Sequence, residues 1–187
     1  MKKVLSFLLI FLGACSWRSP NSDFYMMNSA DLSPISQKVM NVNVAKIKVP
    51  DILDRSQLVV YEPKNNQVKI LEFNRWGENF ADVVQSTIVN DLIAYLPKSY
   101  VKRTYFDSQQ TPYNINIEVN NMQAFRGEKV IFSAWWNISN AAGKILVRQQ
   151  SNYETEVDGK SIDDLVKAQT QTVHLLSKAI AEQLINL

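Results

Sequence analysis

Cys15 is the only cysteine of the chain and His174 its only histidine, so nucleophilic and metal chemistry have few residues to draw on. A lone cysteine cannot close an intramolecular disulfide. It can be a buried apolar side chain, a reactive thiol, a metal ligand or a site of covalent modification. A Ser–His or Cys–His mechanism would have to run through His174, which a helical projection sets on the polar side, a predicted solvent face. A zinc site of histidine and cysteine ligands cannot be assembled from one of each. The carboxylates are scattered, and the adjacent pair Asp163–Asp164 stands where a helix should begin, a place that favours negative charge. Gly159–Ser161, "GKS", ends like a phosphate-binding loop, but the position that should hold its leading glycine is Glu154. These residues predict no enzyme, no metal and no cofactor.

The neighbours of Cys15 decide between its alternatives. Lys2 and Lys3 precede the uncharged run Val4–Leu12, which spans about 13.5 Å as a helix at ~1.5 Å per residue. A crossing helix needs roughly 20 apolar residues, so the length fits a signal-peptide core. "LGAC", Leu12–Cys15, resembles the lipobox of bacterial lipoproteins closely. That resemblance implies cleavage before Cys15, a thioether to diacylglycerol and N-acylation by a palmitate-type chain. One acyl chain binds a membrane reversibly; two or three hold it. Ser16, where an aspartate would retain the protein at the inner membrane, implies the outer membrane.

Lys2 and Lys3 are two of 20 basic residues, so the rest of the chain balances its 18 acidic ones. A nucleic-acid surface would need a clustered basic face. Lys98, Lys102 and Arg103 come nearest and read as a solvated rim, so no nucleic-acid partner is expected. With 46% hydrophobic and 20% charged residues, the chain has the means for one globular core. The expected organisation is a signal peptide over 1–14, a lipidated tether over 15–37 and a single domain over 38–187. Within the tether, Phe24–Met27 should dock as a first strand or clasp.

Strand signals dominate the domain. The apolar phase flips between Val44 and Ala45, predicting a bulge or bend. Leu58–Tyr61 and Val68–Phe73 read as a hairpin turning at Pro63–Asn66, and Ser99–Phe106 is β-rich. Tyr113–Val119 alternates cleanly, with Asn114, Asn116 and Glu118 opposite the apolar set. Val130–Ile138 and Ile145–Thr155 complete a meander with turns at "FRGEK" and "SNAAGK". Helical spacing runs over Asn79–Leu96 and again from Ser161, where Ser161 and Asp164 form a capping box. The expectation is an α+β fold of about seven strands: a mainly antiparallel sheet with two amphipathic helices packed on one face. Trp136 shares a face with Phe132 and Ile138, so Trp135 must point to the open face, where an aromatic marks a candidate partner contact.

Three stretches, "SPNSDFYMM", "VPDILDRSQLVV" and "FNRWGENFADVVQSTIVNDL", taken in order, resemble the ABC-type transport auxiliary lipoprotein family. The residues that carry the resemblance are Phe24, Tyr25, Pro50, Leu53, Asp54, Arg55, Gln57, Leu58, Val59, Arg75, Trp76 and Glu78. Ser56, Gly77 and Asn79 depart from the pattern, and Asn79 can serve as a helix N-cap. The resemblance implies an outer-membrane lipoprotein that docks and anchors, without hydrolysing anything, in an envelope-spanning lipid-transport system that maintains membrane integrity. Its implied partners are a periplasmic MCE-domain protein, an inner-membrane protein and the outer membrane itself, reached through the lipid anchor, with a homo-oligomer compatible with a symmetric MCE assembly. Trp76 reads as a core wedge or a partner contact, and Asp54 and Arg55 as a strand-end fixture or a headgroup reader. The competing functions are an outer-membrane assembly or secretion-system lipoprotein, and a periplasmic lipid carrier enclosing an acyl chain.

Overall fold

The structure is a computed structural model that describes residues 20–28, 32–62, 67–104 and 112–187. Cys15 and the expected turn at Pro63–Asn66 lie outside the described residues. Eight strands form one sheet: β1 (Asp23–Tyr25), β2 (Asn41–Val44), β3 (Gln57–Glu62), β4 (Gln67–Trp76), β5 (Tyr100–Arg103), β6 (Tyr113–Phe125), β7 (Lys129–Asn140) and β8 (Ile145–Glu156). Two helices accompany them, α1 (Phe80–Tyr95) and α2 (Ile162–Ile185).

The sheet forks at β6. One edge of this long strand carries β7 along its whole length, and β7 carries β8. The other edge is shared: β2 and then β5 lie parallel along its first residues, while β3 meets it at Phe125 and continues to β4 and β1. The expected mainly antiparallel sheet is therefore corrected to a mixed one, with β1–β4, β2–β5, β2–β6 and β3–β6 parallel. The antiparallel ladders are the sequence-local hairpins, whose turns the sequence announces. Gly127 and Gly143 take the positive φ that those between β6 and β7 and between β7 and β8 require. Parallel neighbours are joined by distant segments and leave no local mark.

The phase flip after Val44 marks the end of β2: the Ala45 amide still donates to the Ile115 carbonyl at 3.0 Å, and one extra residue is taken up before Lys48 bridges Glu118, an irregularity of the expected kind. The Phe24–Met27 expectation meets β1, which pairs Tyr25 with Trp76, and the buried Met27 behind it. Further along the N-terminal segment, the Ile35 amide donates to the Tyr95 carbonyl at 2.9 Å.

The long helix α2 buries Leu165, Val166, Val173, Leu176, Ile180 and Leu184 against β6, β7 and β8. Its start is the expected capping box: Ser161 Oγ accepts from the Asp164 amide at 3.0 Å, and Asp164 Oδ2 accepts from the Ser161 amide at 2.9 Å. The shorter α1 packs against α2 and β5. It is not amphipathic as expected, since 11 of its 16 residues are buried, among them Gln85, Thr87 and Asp91. Each of these polar side chains is held inside the fold. Gln85 Nε2 donates to the Val44 carbonyl at 3.1 Å, and Thr87 Oγ1 reaches the carbonyls of Val83 and Met27. Asp91 meets His174 of α2 at 2.7 Å. No helix among the described residues is long and apolar enough to cross a membrane.

Candidate functional site

The family-motif residues converge on one joint, where β1, the 50–56 turn, β3 and β4 meet the start of α1. Phe24 stands opposite Arg75 and Tyr25 opposite Trp76, while Gln57 flanks Arg75 from the other side. The turn is closed by the Pro50 carbonyl, which accepts from the amides of Leu53 (2.8 Å) and Asp54 (3.1 Å). Backbone bonds then knit the pieces: Trp76 N–H to Ser56 O at 2.6 Å, Gly77 N–H to Tyr25 O at 2.9 Å, and Phe80 N–H to Arg55 O at 3.1 Å. The last satisfies the first orphan amide of α1. Asn79 occupies the N-cap position but makes no side-chain cap bond, so the Arg55 carbonyl is the visible partner at this helix entrance.

A bulge between Gln57 and Leu58 throws Glu72 outward, and it collects its neighbours there. Its carbonyl accepts from Arg75 Nε at 2.7 Å, and its carboxylate lies 3.4 Å from both Arg75 Nη2 and Gln57 Nε2. Trp76 is 2% exposed and tilted against Phe80 at 5.8 Å between ring centroids. Tyr25 Oη accepts from Asn74 at 3.1 Å. Asp54 and Glu78 are exposed, and their carboxylates have no partner among the described residues. Phe24 stays exposed on the outermost strand of this end of the sheet.

A second surface lies on the sheet face opposite α2. Even-numbered positions of β7 from Val130 to Ile138 are buried, with Phe132, Ala134, Trp136 and Ile138 at 1% exposure or less, whereas Trp135 is 45% exposed. Trp136 is satisfied inside by Nε1–H donation to Ser151 Oγ at 3.0 Å. Trp135 forms part of a groove of about 490 Å³, with Lys46, Lys48, Asn116, Glu118, Asn137 and Arg148 around it. Register sets these side chains in two rows across the strands. One runs Lys48, Glu118, Trp135, Gln150, and the next sets Asn116, Asn137 and Arg148 abreast. Lys46 lies two residues before Lys48, on the same side, because Ile47 between them is buried. Asn116 Nδ2 donates to Asn137 Oδ1 at 3.3 Å.

His174 is not on a solvent face. Its side chain is 11% exposed and its Nδ1 lies 2.7 Å from Oδ2 of the fully buried Asp91, which ties α2 to α1. The helical projection placed the residue correctly relative to α2's apolar stripe, but the polar flank of that stripe meets α1. Among the described residues no group of histidine, cysteine and carboxylate side chains could hold a metal ion.

Residues 26–181 match the family described as "ABC-type transport auxiliary lipoprotein component". The chain belongs to this family. Two solved structures share the fold of this auxiliary lipoprotein. One is the crystal structure of an uncharacterized protein, 21% identical, covering 88% of this chain and 99% of its own, with a TM-score of 0.71. The other is XCC0632 of Xanthomonas campestris, 12% identical, covering 85% of this chain and 92% of its own, with a TM-score of 0.70. Among curated proteins the sequence finds no match. The family is an auxiliary transport component and not an enzyme family.

For this auxiliary lipoprotein, sequence reasoning found the joint through its motif residues and singled out Trp135, but missed the charged rim around Trp135. The signal was present in part. Strict alternation put Asn116 and Glu118 on one face of β6, and Lys46 and Lys48 flank a buried isoleucine. What no local pattern could supply was that β2's continuation and β8 converge on the same patch.

Proposed function

We propose that this protein is a lipid-anchored docking component on the periplasmic side of the outer membrane, serving a PqiABC-like, MCE-type intermembrane lipid-transport system. Cys15 is the acylated residue, and the MCE-domain protein is the partner. The observation that carries the reading is the joint at β1. The chain arriving from Cys15 is hydrogen-bonded in parallel register onto the end of β4, beside buried Trp76. From Cys15 to Asp23 is a short run, at most ~29 Å of extended chain at ~3.6 Å per residue. A domain held this closely is positioned near its membrane. Trp135, on the sheet face that α2 leaves open, is the contact face for the system's other components. The described interior is filled by side chains such as Trp136, Phe132 and Ile88, which favours docking over enclosure of an acyl chain.

The test is Cys15→Ala with the signal segment kept. The variant should leave the outer-membrane fraction, and the MCE partner should no longer be recovered with that fraction through it. A photo-crosslinking residue at Trp135 in the wild-type background should capture the MCE protein or its cargo. Retention of the variant in the outer membrane with its partner still attached would overturn the proposal.

A further inference from the structure

We infer that the groove around Trp135 binds a zwitterionic phospholipid headgroup, taking its phosphate between Lys46 and Arg148 and its ammonium against Glu118 and the Trp135 ring. The inference rests on the reading of the Trp135 face as a contact face and names what it contacts.

The phosphate half follows from the row Asn116, Asn137, Arg148 and from Lys46, which lines the same groove. Arg148 stands abreast of Asn137 and Asn116 at one side of the groove, and Lys46 lines it on the side of the segment that bridges β6 at Lys48. Both are long side chains that lean over apolar surface while keeping the charge free. Asn116 and Asn137 also line the groove, and their mutual hydrogen bond uses one N–H of Asn116 and the oxygen of Asn137, leaving the Asn137 NH₂ group as a donor. Among the described residues, none of Lys46, Lys48 and Arg148 has an ion pair or a side-chain hydrogen bond. An oxyanion centred in this row meets cations from both sides and an amide donor below. Arginine suits such a group because its planar fork matches a phosphate's oxygens.

The adjacent row differs in charge. Glu118 is paired with Lys48 on one side and Trp135 on the other, directly across neighbouring strands, where Cβ atoms stand ~5 Å apart. A carboxylate there repels a polyacidic partner, yet it suits a cation lying over the indole face, where the ring's quadrupole adds to the attraction. Three cations and one carboxylate beside an exposed aromatic complement a ligand with a negative phosphate and a positive amine a few ångströms away. The volume, about 490 Å³, is of the size that holds small ligands.

The measurement is a titration of the full mature chain in maltoside micelles, following tryptophan fluorescence and confirmed by calorimetry. The probes are glycerophosphoethanolamine, glycerol phosphate, inorganic phosphate and a poly-glutamate peptide. Glycerophosphoethanolamine should bind saturably and more tightly than either simple phosphate. Lys46→Gln with Arg148→Gln should weaken it at least tenfold. Glu118→Gln should weaken glycerophosphoethanolamine while tightening glycerol phosphate, a change of opposite sign that a merely structural residue would not produce. Trp135→Phe should remove the fluorescence response while calorimetry still reports binding. Circular dichroism melts of each variant separate binding loss from unfolding. The inference is overturned if Glu118→Gln moves both probes the same way, if the double variant binds as wild type, or if poly-glutamate binds more tightly than the headgroup. Co-purification of the MCE partner with the Lys46→Gln, Arg148→Gln variant is read separately. Its survival alongside lost headgroup binding leaves docking intact, and its loss from wild type in membranes strikes docking alone.

Discussion

Ser161 and Asp164 show how much one pair of polar residues does at an exposed helix end. The Asp164 carboxylate accepts from both the Ser161 hydroxyl and the Ser161 amide, and these two bonds hold its pKa below the usual carboxylate range. A depressed carboxyl pKa means the folded state binds the proton less well than the unfolded chain. Its contribution is present above the ordinary value near ~4 and is lost as pH falls through the lower, folded one. Carboxyl NMR titration of Asp164 should give a midpoint below that of a free aspartate, with the first turn of α2 fraying as it protonates. A midpoint at the free value would show that the cap does not hold in solution. Ser161→Ala should lower stability by about 1 kcal/mol in a denaturant melt, the usual loss for removing an N-cap. Gly159 serves the same corner: its φ of 123° and the Asp164 carboxylate leave no space for a Cβ. The glycine of the "GKS" stretch thus answers to the cap and not to a phosphate. His174 belongs to this scale too. His174→Ala removes the partner at 2.7 Å from a buried carboxylate and should cost about 2 kcal/mol, as for other hydrogen bonds to charged groups. An unchanged melt would mean that Asp91 is held by its other neighbours.

Elements that talk to their neighbours in sequence were legible; those that talk to distant ones were not. The β3–β4, β6–β7 and β7–β8 hairpins each join β-rich runs across a short connection, and the capping box and apolar stripe define α2. The parallel pairs carry no comparable signal, because β1 pairs with β4, and β2 with both β5 and β6, across long stretches of intervening chain. Burial of α1 on most of its surface was hidden for a related reason. Gln85 and Asp91 lie off the apolar stripe that Thr87 shares, yet each is buried and bonds a group from another part of the chain. The motif joint was legible as a set of residues and illegible as geometry: nothing in "DILDRSQ" says that the Arg55 carbonyl will receive the first amide of α1. The joint's energetic centre is Trp76, buried where β1, β4 and α1 meet. Trp76→Ala should destabilise the domain by about 4 kcal/mol, the scale for emptying a buried aromatic site. Arg75→Ala, which loses an exposed ion pair with Glu72, should cost under ~1 kcal/mol. Equal losses for the two would place the joint's stability in its surface charges instead of its core.

Across the whole molecule, the N-terminal segment and the Trp135 groove occupy different parts of the forked sheet. The path β1–β4–β3–β6–β7 puts four strand steps, roughly 19 Å at ~4.8 Å each, between the strand nearest Cys15 and the strand that carries Trp135. On the proposed reading, a lipid anchor acting through β1 would set where the groove sits relative to the bilayer, provided that the segment 20–28 belongs to the folded domain and not to a loose leader. Two observations say how firmly it is held: Met27 is 4% exposed, and its carbonyl accepts from buried Thr87 at 3.3 Å. Replacing residues 20–28 by a Gly/Ser run should then lower stability by about 3 kcal/mol, mostly the burial of one methionine and the partial burial of Tyr25. Inserting the same number of Gly/Ser residues between Ser19 and Pro20 should leave the melt unchanged, because it lengthens the reach from Cys15 without touching β1. Comparing the two variants separates the segment's roles. If the replacement melts like wild type, β1 is a passive leash and the distance between bilayer and groove is unconstrained. If only the replacement is destabilised, the inserted variant becomes the tool for asking whether the height of the groove above the membrane matters. Its partner recovery from membranes should fall while its fold stays intact.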